Sequence, residues 1–481
     1  MNFKVIVNIT GFLLILTGGF MLTGIPFSLY YHSNDIISII ISAGITIGAG
    51  FCAWYLTKNA SKEISKREGY IIVTVGWIAM AAFGTLPFII HGSIPSFTDA
   101  FFETMSGFTT TGSTILKDIE IVPHGLLFWR SMTHWIGGMG IILLSIAIIP
   151  FLGVGGMQLY KAEVSGPTKD KLHPRVQDTA RRLWFIYVMF TFVEVVLLLI
   201  GGMNLFDAVC HAFGTLASGG FSTKNASIAY YNSPFIEYVI IIFMFIAGTN
   251  FTLHYYALHG KIGAYWKDSE FKFYFVFTAC VVLSIAAYLT LNNNQTAESS
   301  LRDSAFSIIS ILSSTGFATV DYEKWASFSS IIFLILLMFG ACAGSTSGGV
   351  KMLRYQLLIK NSLLELKRLI HPSAVLPVRH NGKAVPQDII SKVTAFVLIY
   401  LAIFAIGSVM LALTGLKLDA AMGSTAACMA NIGPGLGSTG PVSNFGHLTD
   451  FAKWILSFLM LLGRLEIYTV LVVLSPGFWK S

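Results

Sequence analysis

The chain has 481 residues, of which 54% are hydrophobic and only 11% are charged, and its mean hydropathy is +0.71. A composition this apolar excludes an ordinary soluble protein and predicts many membrane spans. The net charge of +7 therefore has to be interpreted by its position relative to the membrane.

Stretches of roughly 20 mostly apolar residues, the length that crosses a bilayer as a helix, occur repeatedly along the chain. We predict ten spans, at about 4–26, 36–57, 70–91, 125–152, 182–203, 235–258, 271–291, 328–350, 391–415 and 451–476. The first span follows Lys4 and is soon followed by the second, so we do not expect a cleaved signal peptide. The predicted fold class is an all-α polytopic membrane protein.

Most of the lysines and arginines fall on one side of this predicted topology. The densest loops are 58–67, 161–182 and 351–392. The positive-inside rule then places both chain termini in the cytoplasm. The basic charge thus indicates membrane orientation, and we expect no nucleic-acid partner.

One pattern recurs four times between the predicted spans: an aspartate, an apolar stretch and a short polar segment ending in glycine. The copies are DAFFETMSGFTTTG from Asp99, DAVCHAFGTLASGG from Asp207, DSAFSIISILSSTG from Asp303 and DAAMGSTAACMANIG from Asp419. The Asp-to-Gly separation is 13 residues in the first three copies and 14 in the fourth. Such regular spacing predicts an internal repeat of span, half-helix with Asp as its N-cap, non-helical strand and span.

This repeat divides the chain into five parts. A two-span extension (1–57) precedes repeat 1 (70–152), repeat 2 (180–258), repeat 3 (271–360) and repeat 4 (391–476). About ten residues of helix extend only about 15 Å, half of a bilayer. Each polar segment is therefore predicted to lie at membrane depth.

Non-helical backbone at membrane depth is tolerated where it is buried in protein or lines a watery cavity. Four strands around one axis would meet this condition together, with half-helix C-termini directing partial negative charge at the path. Hydroxyls such as Thr110, Thr111 and Ser113 add oxygen without charge, which favours a monovalent cation. A Gly/Ser/Thr helix contact or an external turn would also have this composition, but neither requires a half-helix at fixed distance.

The predicted span after each polar segment carries a glycine at a similar distance, and the third copy is the most extreme. These glycines are Gly138, Gly248, Gly344 and Gly463. The segment GACAGSTSGG (340–349) has little propensity for helix. It is either a close-packing face or an unwound loop across the pore, and we favour a loop that acts as a gate.

Charged residues inside predicted spans mark candidate functional sites. Arg464 is expected to face the small-residue loop 340–349, below the four polar strands that would form an ion filter, and to oppose cation flow. The alternative is a structural ion pair with Glu466. Glu194 is a lone membrane carboxylate, more typical of a buried hydrogen-bonded group than of a proton relay. No catalytic motif or metal-ligand spacing is present, so we predict that the chain is not an enzyme.

With TTTGS, SGGFS, STGFA and NIGPG in four span–pore-helix–span units, the chain resembles the Trk/Ktr/HKT superfamily of potassium transporters over its whole length. The segments at 137–167 and 340–354, and the extra pair of N-terminal spans, resemble the TrkH branch. The resemblance implies a potassium filter at four glycines with their neighbours, a gating loop and a pore arginine. The implied filter residues are Thr110, Thr111, Gly112, Ser113, Ser218, Gly219, Gly220, Phe221, Ser314, Thr315, Gly316, Phe317, Asn431, Ile432, Gly433 and Pro434. The implied gating residues are Gly344, Ser345, Thr346, Ser347, Gly348, Gly349 and Arg464.

Two departures from fourfold symmetry stand out. The second strand has Gly219 where the first and third have threonine, and the fourth is one residue longer, with Ile432 and Pro434. The pore is therefore only pseudo-fourfold. In plant relatives that favour sodium, serine stands at the first filter glycine, so Gly112 supports potassium.

The resemblance further implies K⁺ (and Rb⁺) as the transported ion, no organic cofactor, a homodimer with one pore in each chain, and a cytoplasmic TrkA-like nucleotide-binding subunit that gates the pore. We expect a bacterial inner-membrane location. Basic amphipathic segments, including 351–372, suit either that subunit or membrane lipid. The alternatives are a K⁺/H⁺ or K⁺/Na⁺ symporter, with Glu194 or Glu466 coupling the ions, and a polytopic membrane enzyme such as a lipid transferase.

Overall fold

The structure, a computed structural model, describes residues 1–59, 65–147, 172–292, 295–326 and 328–480, and it describes side chains outside 141–178. Four predicted segments therefore lie partly outside the described residues. These are the end of the predicted span 125–152, the middle of the basic loop 58–67, most of the segment 137–167 and the first half of the basic segment 161–182.

The N-terminal extension is a pair of antiparallel helices. Phe3–Met21 continues through a 3₁₀ turn, Leu22–Gly24, into Ile25–Tyr30, and it packs against Ile36–Leu56. A Cβ atom on Gly11 would lie 2.7 Å from the Gly50 carbonyl oxygen. The two backbones are thus in direct contact, as small residues permit in membrane helix pairs.

Each of the four repeats contains a long helix followed by a short pore helix. The long helices are Lys66–Gly84 with Leu86–His91, Leu172–Ile200, Ser269–Asn292 and Gln387–Ala412; the pore helices are Phe97–Phe108, Leu205–Leu216, Ala297–Leu312 and Leu418–Ala430. The pore helices are largely buried. The protein interior therefore surrounds the strands that follow them.

The predicted aspartate N-caps are wrong. The first two pore helices are capped by Ser96 and Asn204, whose side chains accept hydrogen bonds from the backbone N–H of Asp99 and Asp207. Each aspartate is thus the third residue of its helix, where its charge still complements the helix dipole.

The other two aspartates also lie inside their helices. The third pore helix is capped by Thr296, so Asp303 lies in its second turn. Asp419 is the second residue of the fourth pore helix.

The predicted span that follows the polar segment is broken in three of the four repeats. This corrects the prediction of full spans at 235–258 and 451–476, whereas the break within 328–350 agrees with the loop that the composition of 340–349 favours. Only the first, His124–Ala147, is continuous within the described residues. The second bends by 103° between Pro234–Ala247 and Phe251–Leu258, and the fourth by 116° between Asp450–Arg464 and Tyr468–Leu474. In the third, Ser329–Leu336 is followed by non-helical chain up to Lys351.

Local chemistry accounts for the breaks in the second and fourth repeats. Asn250 caps the new helix by accepting a hydrogen bond from the Thr252 N–H. Glu466 and Ile467 both adopt positive φ, 55° and 37°. Within the described residues six helices are long and apolar enough to span a membrane, or up to eight if each bent pair is one span.

The remaining elements are short or peripheral. The helix Met352–Ile370 and a two-stranded antiparallel hairpin, Arg379–His380 with Lys383–Ala384, precede the fourth repeat. The short helices are Ala264–Lys267 and Pro476–Trp479, and the other 3₁₀ turns are Ser227–Tyr231, Tyr322–Lys324 and Gly437–Thr439.

The close N-terminal helix pair leads to a stability prediction. Gly50→Val places side-chain atoms against Gly11 and Ile15, where a Cβ atom alone would lie 2.6 Å from the Gly11 carbonyl oxygen. We expect the substitution to lower the free energy of unfolding by about 1–3 kcal/mol, the usual cost of overpacking. Thermal unfolding of the detergent-purified protein measures this loss.

Gly48→Val in the same helix is the control, because nothing lies within 4 Å of a Cβ atom there. Equal melting temperatures for the two variants would contradict the packing that we describe.

Candidate ion filter and intramembrane loop

Every pore helix ends in the same backbone motif. The residue after the helix, or one residue later, adopts a left-handed conformation, with φ of 51° at Thr110, 56° at Ser218, 62° at Ser314 and 54° at Asn431. The next N–H bonds to a carbonyl five residues earlier: Thr111 to Ser106 at 2.8 Å, Gly219 to Gly214 at 2.8 Å, Thr315 to Ser310 at 2.9 Å and Ile432 to Ala427 at 2.8 Å. This Schellman-type ending turns the chain out of the helix in the same way four times.

The filter glycines follow directly after this motif. Gly112, Gly220 and Gly316 have φ of 88°, 77° and 79°, a region that strains residues with a side chain. Gly433 does not adopt such a φ. The fourth strand therefore departs from the other three in its backbone as well as in its sequence.

The four strands form a closed ring. A Cβ atom on Gly112 would collide with the Gly219 carbonyl oxygen, and one on Gly220 with the Thr315 carbonyl oxygen. A Cβ atom on Gly316 would lie 2.8 Å from the Gly433 nitrogen, and one on Gly433 would lie 3.0 Å from the Gly112 carbonyl oxygen. Each strand thus touches the next, and the fourth touches the first.

All four filter glycines also line one cavity of about 90 Å³. Backbone and small polar groups dominate its lining, together with Arg130 and Lys224. A ring of neutral backbone dipoles around one axis suits a cation that has lost part of its water shell.

Side-chain hydroxyls near the strands mainly fix the strands in place. Thr109 bonds to Thr111, and Ser313 to Thr315, each at 2.8 Å between hydroxyl oxygens. The Ser113 hydroxyl donates to the Gly433 carbonyl oxygen at 3.0 Å. Among the described residues, the buried Thr110 hydroxyl has no hydrogen-bond partner.

The fourth strand is held by an amide. Asn431 donates from Nδ2 to the Thr111 hydroxyl at 3.1 Å and to the Met460 carbonyl oxygen at 2.8 Å. The amide thereby connects the fourth strand to the first strand and to the helix Asp450–Arg464. Ile432, at the position of the threonines, is fully buried.

The segment 340–349 is an extended loop, and its two ends are bonded to each other. Gly340 N–H donates to the Val350 carbonyl oxygen at 2.8 Å, and Met352 N–H donates to that of Ala341 at 3.1 Å. Glu270 accepts hydrogen bonds from the backbone N–H of Ala343 and Leu353, at 2.6 and 3.1 Å. The loop is thus anchored where it enters and leaves the membrane-spanning region.

The same loop lies against the ends of the strands next to the pore helices. The Thr346 hydroxyl bonds to the Ser218 hydroxyl at 2.8 Å, and Gly348 N–H donates to the Ser314 hydroxyl at 3.1 Å. A Cβ atom on Gly348 would collide with the Ala430 carbonyl oxygen. The central residues Ser345, Thr346 and Ser347 are buried, so the loop packs directly against this end of the ring.

Arg464 bridges the loop and the first repeat. Its guanidinium donates to the Thr346 carbonyl oxygen at 2.9 Å and to the Gly137 carbonyl oxygen at 2.7 Å, and the side chain is 1% exposed. The alternative ion pair with Glu466 is wrong, because Glu466 pairs with Arg354 instead. Arg464 is therefore a buried cation held by neutral carbonyl groups.

Glu194 differs from the expected buried hydrogen-bonded group. It is fully buried, and neither carboxyl oxygen has a hydrogen-bond partner among the described residues. No group of three or more His, Cys, Asp or Glu side chains that could hold a metal ion occurs in the described part of the chain.

Sequence reasoning gave no role to an ion pair that lies beside the filter. Arg130 Nε lies 2.7 Å from Glu103 Oε1, and both side chains are buried. Glu103 also accepts hydrogen bonds from the Thr114 hydroxyl and the Ile115 N–H, each at 2.9 Å. The available signal was two opposite charges in segments that are otherwise nearly free of charge.

The fold and the site together define a polytopic helical membrane protein with one pore built from four repeats. Comparison with known proteins agrees with this class. The TrkH family model, described as a cation transport protein, matches residues 35–480.

The chain is 40% identical to the Trk system potassium uptake protein TrkH of Escherichia coli (strain K12), covering all of both chains. It is 36% identical to TrkI of Halomonas elongata, covering 93% of this chain and 91% of that protein. The crystal structure of the potassium transporter TrkH from Vibrio parahaemolyticus matches with a TM-score of 0.92 and 36% identity over the whole of both chains. The chain belongs to the TrkH family of cation transport proteins.

The ring geometry leads to a test of the first filter glycine. Gly112→Ala adds a Cβ atom that collides with the Gly219 carbonyl oxygen at a φ of +88°. We expect cation uptake into proteoliposomes to fall by about tenfold or more, a barrier increase of more than about 1.4 kcal/mol.

Gly202→Ala is the matched control. Gly202 has a φ of +95° with nothing within 4 Å of a Cβ atom, so this variant carries the backbone strain of about 1–2 kcal/mol without the collision. Normal uptake by Gly112→Ala would refute the ring arrangement.

Proposed function

We propose that this protein takes up potassium through the four-strand pore, with K⁺ as the transported ion and no organic cofactor. The observation that carries the proposal is the closed ring of Gly112, Gly220, Gly316 and Gly433 around one cavity. Relatives named as potassium uptake proteins cover the full length of the chain, which supports the same substrate.

We further propose passive conduction down the electrochemical gradient of K⁺, controlled by the loop 340–349. The loop closes the ring at the ends of the strands beside the pore helices, where Thr346 bonds to Ser218. Arg464 adds a buried positive charge beside Thr346. A cation leaving the filter would have to displace this loop and pass the guanidinium.

The helix Met352–Ile370 supports control by a cytoplasmic nucleotide-binding subunit. It begins directly after the loop, so a pull on the helix acts on the loop through Lys351. Arg354 in its first turn pairs with Glu466 at the break of the fourth repeat. The far end of the helix exposes apolar side chains, such as Leu363, Leu366 and Leu369, beside lysines and arginines.

We extend the proposal to the surroundings of the chain. The distribution of basic residues favours an orientation with both termini in the cytoplasm, and the bacterial relatives support a location in the inner membrane of a bacterium. We propose a homodimer with one pore per chain and direct contact with lipid. The many exposed apolar side chains on the long helices are consistent with lipid and subunit contacts.

One observation favours a second candidate, a K⁺/H⁺ symporter. The unpartnered carboxyl group of Glu194 lies fully buried, and such intramembrane groups can carry protons. Glu466 is a weaker candidate for coupling, because it is already paired with Arg354.

Uptake of ⁸⁶Rb⁺ into proteoliposomes tests both candidates. We expect external K⁺ to block uptake and Na⁺ to block it poorly. We also expect Rb⁺ accumulation to follow the membrane potential set by the K⁺ gradient at every pH. The Glu194→Gln variant should behave in the same way. Uptake that depends on a pH gradient, and loses this dependence in Glu194→Gln, would instead establish symport.

The buried arginine leads to a prediction about gating. Arg464→Ala removes the hydrogen bonds to Thr346 and Gly137 and the positive charge below the filter. Because hydrogen bonds from charged groups contribute about 1.5–3 kcal/mol each, we expect the loop to open more often. Rb⁺ uptake without any partner protein should rise by at least roughly tenfold.

Arg302→Ala serves as the control, since Arg302 is largely buried and pairs with Glu237 at 3.0 Å in another part of the fold. An Arg464→Ala protein that remains folded and conducts no better than wild type would exclude this role for the arginine.

A further inference from the structure

The second filter strand lacks the internal bond that fixes the first and third. In those strands two hydroxyl side chains, two residues apart, bond to each other at 2.8 Å. The equivalent residues in the second strand are Ala217 and Gly219, which have no hydroxyl. Some other contact must therefore hold this strand.

The imidazole of His134 occupies the space that a side chain at position 219 would need. A Cβ atom on Gly219 would lie 2.5 Å from His134 Cε1 and 2.6 Å from Cγ. The imidazole ring also stacks on the Phe221 ring, with 4.0 Å between centroids and 15° between planes. Although His134 is fully buried, neither ring nitrogen has a hydrogen-bond partner among the described residues. The ring therefore acts on the strand through its shape.

Residues one helical turn to either side of His134 contact the same strand. The Arg130 guanidinium lies 3.5 Å from the Phe221 ring centroid and donates to the Ser222 carbonyl oxygen at 3.0 Å. A Cβ atom on Gly138 would lie 2.7 Å from the Ala217 Cα. Positions four apart share one helix face, so a single face of His124–Ala147 follows the strand along its length.

This helix face is itself fixed at both ends. Glu103 binds Arg130 at 2.7 Å and also accepts a hydrogen bond from Ile115, which follows the first strand. At the other end, the Gly137 carbonyl oxygen accepts a hydrogen bond from Arg464. The position of the second strand is thus tied to the first strand and to the arginine beside the loop.

We propose that His134 and Arg130 are positioning residues that set the ion selectivity of the pore, because they replace the hydroxyl pair that the second strand lacks. The inference rests on the proposed potassium filter. Discrimination between K⁺ and Na⁺ depends on where the strand carbonyls lie, and these two side chains determine where the second strand lies.

The proposal predicts that selectivity tolerates substitution of His134 and Gly219 together but not substitution of either one alone. Gly219→Thr alone collides with the imidazole, and His134→Ala alone leaves the strand without support. The double variant His134→Ala/Gly219→Thr places threonine at the position that threonine has in the first and third strands, and its side chain fills the space that the imidazole leaves.

Ion-dependent thermal stability of the detergent-purified full chain tests the prediction without requiring an open gate. Melting temperatures titrated with KCl and with NaCl give an apparent Kd for each ion, because a bound ion stabilises the folded state. We expect each single variant to reduce the preference for K⁺ over Na⁺ by roughly tenfold, and the double variant to recover most of it. Arg130→Gln should reduce the preference in the same direction.

Two controls separate positioning from general stability. His254→Ala removes another buried histidine, which bonds to Tyr265 and to the Ile246 carbonyl oxygen, and Arg302→Gln breaks another ion pair. Both should lower the melting temperature and leave the ion preference unchanged.

Three results would overturn the proposal: an unchanged preference in folded His134→Ala, a double variant no better than Gly219→Thr, or control variants that lose the preference equally. If His134→Ala does not fold, the comparison of Gly219→Thr with the double variant still decides. A wild-type protein that K⁺ does not stabilise over Na⁺ would instead contradict the potassium filter itself.

Discussion

The structure depends on the need to satisfy backbone polar groups at membrane depth, where an unpaired N–H or carbonyl costs several kcal/mol. Each pore helix meets this need with the same hydrogen bond. A backbone N–H just after the helix donates to the carbonyl oxygen five residues earlier, as Thr111 does to Ser106. That bond ends the helix and turns the chain into the non-helical strand that follows. Because all four repeats use it, four short strands meet at one axis and close a ring that no single repeat could form.

The four strands of the ring are held in place by different contacts. The first and third strands are fixed by hydroxyl pairs, the fourth by the amide of Asn431, and the second by the helix that carries Arg130 and His134. The same helix accepts the hydrogen bond of Arg464 through Gly137. The filter and the loop 340–349 are therefore connected through one helix, His124–Ala147, by a few direct contacts.

The four repeats, their pore helices and the unwound third span could be predicted from the sequence, because they follow from spacing and composition. The aspartate caps were wrong because Ser96 and Asn204 cap their helices three residues earlier. The breaks near Gly248 and Glu466 were missed because a hydropathy window measures composition and not backbone conformation. Gly219 was recognised as a departure, but its cause, His134, lies 85 residues away in the sequence and becomes visible only in three dimensions.

The unbroken helix His124–Ala147 also has a mechanical consequence. Three of the second spans contain a joint, at 248–250, 337–351 and 465–467, whereas this helix has none within the described residues. Within the described residues the pore thus has one continuous wall and three jointed walls. We expect widening to occur off-centre, away from the first repeat, so an ion passing the loop would travel along the continuous helix, past the carbonyl group of Gly137.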